Sequence, residues 1–99
     1  MVRYAVRPDQ AEENTRLIEG VFDALSRGAP AGLTYASYRL DDGVSFVHVA
    51  SVEDPANSPL SALDEFKRFT SGVKDRCEVM PVTAVLHQVG RYAGPPLTH

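Results

Sequence analysis

An α+β domain of order β–α–β–β–α–β is the fold the sequence predicts, and three observations predict it. Leu33 to Ala50 alternates as two strands would around the tight turn Asp41-Asp42-Gly43. Helically spaced apolar residues lie on either side of that hairpin, and each helical segment has a further strand-like run beyond it. This succession is the ferredoxin-like one: an antiparallel four-stranded sheet with both helices on one face. Ninety-nine residues make a single domain, 1–99, with one core.

The first strand is Val2 to Arg7, with Val2, Tyr4 and Val6 on one side and Arg3, Ala5 and Arg7 on the other. Pro8 ends it, having no amide hydrogen for the ladder. Asp9, with Glu12 three residues on, reads as a capping box opening a helix that runs to about Arg27. Asn14, Leu17, Ile18, Val21, Phe22 and Leu25 fall on one helical stripe, and all but Asn14 are apolar. Gly20 weakens this helix, which a close approach to the sheet would explain, and Gly28 is its expected stop.

The second strand is Leu33 to Leu40. Leu33, Tyr35, Ser37 and Arg39 alternate with Thr34, Ala36, Tyr38 and Leu40, so Tyr35 and Tyr38 face opposite sides. The third strand is Val44 to Ser51, where Val44, Phe46, His48 and Ala50 oppose Val47 and Val49. Ser58 is the expected cap and Pro59 the first residue of a second helix reaching about Arg76, with Ala62, Phe66, Phe69 and Val73 as its apolar stripe. The fourth strand follows Pro81: Val82, Ala84 and Leu86 oppose Thr83, Val85, His87 and Val89. The tail from Gly94 to His99 is expected to be flexible unless it lies on a partner.

Composition narrows the function. A formal charge of −3, spread along the chain without a basic stripe, argues against nucleic acid. No segment is long and apolar enough to suggest a membrane span. Cys77 is the only cysteine, and Val2-Arg3-Tyr4-Ala5-Val6 reads as strand rather than signal-peptide core, so the expected setting is the cytoplasm. Phosphate loops, dinucleotide fingerprints, nucleophile elbows and zinc-ligand spacings are missing from the sequence. No cofactor or metal is expected.

The strands are apolar on both sides, whereas a half-exposed antiparallel sheet alternates apolar and polar residues. Two helices cover one face. A sheet-to-sheet homodimer through the open face is therefore the expected assembly.

Gly32-Leu33-Thr34-Tyr35, Arg39-Leu40-Asp41-Asp42-Gly43 and Phe46-Val47-His48-Val49-Ala50-Ser51 resemble the antibiotic biosynthesis monooxygenase superfamily. Leu63-Asp64-Glu65-Phe66-Lys67-Arg68-Phe69 continues the likeness, which is one of pattern over nearly the whole chain. The resemblance implies a dimeric α/β-barrel, two such sheets sharing a barrel with helices outside. It also implies a monooxygenase-like oxidoreductase that needs no metal or flavin. Haem-degrading members use a tryptophan on the sheet and a histidine on the second helix. This chain has no tryptophan and no histidine in that helix, which argues against haem degradation.

The candidate catalytic residues are His48, as a base or polarising group acting on a phenolic substrate, and Tyr4. Tyr35 and Tyr38 are candidate ligand contacts, with Phe22, Phe66 and Phe69 as pocket walls and Arg39 and Arg68 as holders of an anionic group. His87 converges with His48 only if both share a sheet face. Cys77 has no evident activating base. The expected function is a cofactor-independent, monooxygenase-like enzyme acting on a small aromatic or apolar molecule. The alternative is a homodimer that binds a small ligand, or serves a structural role, without turnover.

Overall fold

Asp42 organises the central hairpin. Its carboxylate accepts hydrogen bonds from the amides of Val44 and Ser45 and from the Ser45 hydroxyl, while Gly43, at φ 78°, takes the left-handed position. In the computed structural model, which describes residues 1–97, this turn joins β2 (Leu33–Arg39) to β3 (Ser45–Val52). β1 (Val2–Val6), α1 (Ala11–Gly28), α2 (Asp64–Arg76) and β4 (Cys77–Thr83) complete the expected order. The sheet runs β2-β3-β1-β4 and is antiparallel throughout. This is the ferredoxin-like arrangement.

Alternation settles what is inside. Tyr4 and Val6 of β1 and Phe46 of β3 pack with Ile18 and Val21 of α1 and with Phe69 and Val73 of α2. Both helices therefore lie on one face of the sheet. Arg3 and Ala5 alternate with those core residues and turn to the other face, as do Val47 and Val49 on β3.

Several boundaries differ from the sequence expectation. Pro8–Gln10 forms a short 3-10 turn, and α1 begins after it with no side-chain cap, so Asp9 and Glu12 make no capping box. The left-handed residue past α1 is Ala29, at φ 44°, and not Gly28. A β-carbon added at Gly20 would meet nothing within 4 Å, so close packing does not explain that glycine.

Ser58 caps an isolated turn, its hydroxyl accepting from the Ser61 amide, and α2 starts only at Asp64. The turn carries Leu60 into the core and leaves Ala62 exposed. β4 follows α2 without a loop. It is an edge strand, paired to β1 alone, so Pro81 lies inside it at little cost to the ladder.

Val85, Leu86, His87 and Val89 thus lie beyond the sheet, in an exposed segment outside any helix or strand. The two-faced character expected of β4 rests instead on Val79 and Val82, which pair with Ala5 and Arg3 on the uncovered face. Gly94 to Leu97 is exposed; Thr98 and His99, the rest of the expected flexible tail, lie outside the described residues.

Candidate functional site: an apolar cavity backed by a hydrogen-bonded chain

Register brings the site together. His48 pairs with Val2 of β1 on one side and Ser37 of β2 on the other, while Tyr4 pairs with Phe46 and Tyr35 with Ala50. On the helix-facing side, Tyr4 and Tyr35 are thus the diagonal neighbours of His48, within reach of its ring. The Tyr4 hydroxyl lies 2.8 Å from His48 Nε2, and the Tyr35 hydroxyl and Ser37 Oγ lie 2.8 and 2.7 Å from Nδ1. The rings of Tyr4 and Tyr35 both lie nearly parallel to the imidazole.

The chain continues away from His48. Asn14 Nδ2 donates to the Tyr4 hydroxyl at 2.9 Å, and Arg76 Nε donates to Asn14 Oδ1 at 3.0 Å. Asn14, Tyr4, His48 and Arg76 are all buried. Arg76 also donates to the Phe69 carbonyl and lies over the Phe69 ring. Among the described residues its guanidinium makes no ion pair, so carbonyl oxygens and a ring face hold the charge.

Burial dominates the electrostatics. It lowers the His48 pKa from 6.5 to about 4, so the ring is neutral at physiological pH. Desolvation raises both tyrosines above their ordinary value, most strongly Tyr4, and keeps them as phenols. No buried side-chain nitrogen or oxygen among the described residues lacks a partner. The group is a satisfied network of neutral groups with one buried cation at its far end.

Tyr35 and His48 form the polar part of the wall of a cavity of about 320 Å³ between α2 and the sheet. Val2, Ala50, Leu60, Phe66, Phe69 and Val73 supply its apolar walls, and Thr70 and Lys74 of α2 stand at its rim. A pocket of this size, apolar with a few convergent polar groups, suits a small ligand.

The sequence candidates divide around it. His48, Tyr35, Phe66 and Phe69 line the cavity, and Tyr4 is hydrogen-bonded behind it. Phe22 stacks on Tyr35 at 5.1 Å but does not line the cavity. Tyr38 is 58 % exposed and lies elsewhere. Arg39 is occupied by Glu12, at 3.0 Å, and by the Gly43 carbonyl. Arg68 is exposed and outside the cavity lining. His87 is exposed beyond β4, and no group of three or more metal-binding side chains occurs among the described residues. Cys77 is buried, free, and raised in pKa by desolvation.

Ser37, Asn14 and Arg76 were not legible as site residues, although Asn14 carried a signal as the one polar residue on an apolar helical stripe. No family model, curated protein or solved structure matches the chain.

Proposed function

We propose that this protein binds one small, mostly apolar molecule between α2 and the sheet. The observation that carries the reading is the juxtaposition of an apolar cavity with two polar groups, Tyr35 and His48, whose partners extend into the core. Satisfied polar networks of this kind hold their members in fixed orientation, which is what selective recognition needs. Native mass spectrometry of gently purified protein tests it. The expected result is a retained molecule, lost when Val73→Trp fills the cavity. A ligand-free spectrum, together with no binding across a panel of bicyclic aromatics, would contradict it.

One observation favours turnover as a second reading. Hydroxyl groups beside an apolar volume stabilise an oxyanion where one forms, and the sequence likeness to antibiotic biosynthesis monooxygenases points the same way. An activated ring CH2 group reacting with O2 through its carbanion gives a carbonyl and water. The substrate supplies all four electrons, so no external reductant enters. His48 fits such a reaction better as a neutral polarising group than as a base. Oxygen uptake with a panel of ring ketones that carry an activated CH2, such as anthrone, lowered in His48→Ala and Tyr4→Phe, is the expected result. Uptake unaffected by both changes removes this site from the reaction, and a ligand recovered unchanged after incubation in air leaves binding alone.

We further propose a homodimer through the uncovered sheet face. Val47, Val49, Val79, Val82 and Tyr38 lie there with Ala5 and Ala36, and the segment beyond β4 keeps Val85, Leu86, Val89, Tyr92 and Leu97 exposed. A second copy stacked by two-fold symmetry meets like with like. A cytoplasmic setting belongs to the same reading, since a single free cysteine suits a reducing compartment.

A further inference from the structure

The chain behind the cavity contains a fixed starting point. Arginine only donates hydrogen bonds, so the atom of Asn14 facing Arg76 Nε is the amide oxygen, and the amide nitrogen faces Tyr4. The Tyr4 oxygen therefore accepts from Asn14. Its own hydrogen is buried, and among the described residues His48 Nε2, at 2.8 Å, is the one acceptor within reach of it. Were Nε2 protonated instead, Tyr4 would face two donors and its hydrogen would be stranded in the core without a partner. Tyr4 thus donates to Nε2, and the neutral imidazole carries its hydrogen on Nδ1.

Nδ1 then donates toward Tyr35 and Ser37. Neither hydroxyl can donate back to a protonated nitrogen. Their own hydrogens are released from the ring, and Tyr35 is the one that lines the cavity. The buried charge of Arg76 at the head of the chain polarises every bond in the same sense.

We infer that Arg76 and Asn14 set a single direction for this chain, so that its cavity end is a hydrogen-bond donor and the ligand it selects is an apolar ring bearing an oxygen that only accepts, a ketone or quinone. Asn14 and Arg76 are positioning residues for that choice. The ligand class rests on the cavity being a binding site; the direction of the protons does not.

The experiment reverses the direction. Asn14→Asp is nearly isosteric and keeps an acceptor toward Arg76, but it accepts from Tyr4 instead of donating to it. Tyr4 must then accept from Nε2–H, and Nδ1 becomes the acceptor for Tyr35 or Ser37. Two-bond 1H–15N correlation spectra at pH 7 read the tautomer directly. The expected result is Nδ1–H for His48 in the native chain and Nε2–H in Asn14→Asp. Binding of 1-tetralone, measured against tetralin, should drop about tenfold in the variant while tetralin is unaffected, the loss of one hydrogen bond.

Nε2–H in the native chain, or a tautomer unmoved by Asn14→Asp, would overturn the direction. A switched tautomer with neither compound bound would instead overturn the ligand class and the cavity reading while leaving the proton order standing. Should Asn14→Asp not fold, the native spectrum still decides. Tyr4→Phe provides the second variant, which should release His48 into a mixture of tautomers.

Discussion

Asn14 and His48 are the residues on which the interior turns, because each is a polar group held dry by others. His48 makes stability depend on pH in a definite direction. Its folded pKa of about 4 lies below the ordinary 6.5. Above pH 6.5 neither the folded nor the unfolded chain binds this proton. As the pH falls from 6.5 toward 4 the unfolded chain takes it up and the folded chain does not, so stability is lost across that window, about 3 kcal/mol in full. Denaturant melts from pH 7 to pH 4 should show this loss in the native protein and a shallower one in His48→Gln; equal slopes would mean that His48 is not held neutral. His48, Tyr4 and Tyr35 were legible from strand alternation, since a period of two states which side chains share a face. The same alternation puts Ser37 on that face, but a serine on a strand has no feature that marks it as an imidazole partner. Arg76 was beyond reach because an arginine ending a helix ordinarily faces water, and only the meeting of α2 with Asn14 of α1 turns it inward.

The elements differ from their sequence signals where a tertiary contact outweighs a local preference. The Ser58-Pro59 signal for a helix start is genuine but produces a single turn, because burial of Leu60 takes precedence over its continuation. β4 begins at Cys77 because the backbone pairs with β1 as soon as α2 ends, Arg7 N donating to the Arg76 carbonyl. A proline counts against a strand on propensity alone, but an edge strand tolerates it. Two glycines that look alike in sequence separate at this scale. At Gly20 a methyl group has free space, so Gly20→Ala should raise stability by about 0.5–1 kcal/mol. At Gly72 the same methyl would lie 2.8 Å from Arg76 Nη1. Arg76 is held by Asn14 and Phe69, so Gly72→Ala should lower stability despite its better helix propensity. Thermal melts of the two variants should move in opposite directions; a gain in both would show that Arg76 gives way freely.

For the whole molecule, the order of elements and the sheet topology followed from the hairpin and the two helical stripes, because local periodicity carries them. Assembly is a separate matter, decided by what covers the valines of the open face. Light scattering coupled to gel filtration should report a particle of twice the 10.8 kDa chain mass at micromolar concentration. Replacing Val47 and Val49 with lysine should yield a folded single-copy particle, whereas an unmodified chain that runs as one copy would remove the dimer. On the other face of the sheet, α2 leaves an apolar space backed by ordered polar groups, a site for one small ligand under the proposed function. The most direct test of that site is an NMR titration of the protein with 1-tetralone, following methyl and aromatic carbons. Saturable shifts concentrated at Val2, Leu60, Phe66, Phe69, Val73 and Tyr35 are the predicted result. Shifts absent at millimolar ligand, or confined to Val47, Val49, Val79 and Val82, would contradict it.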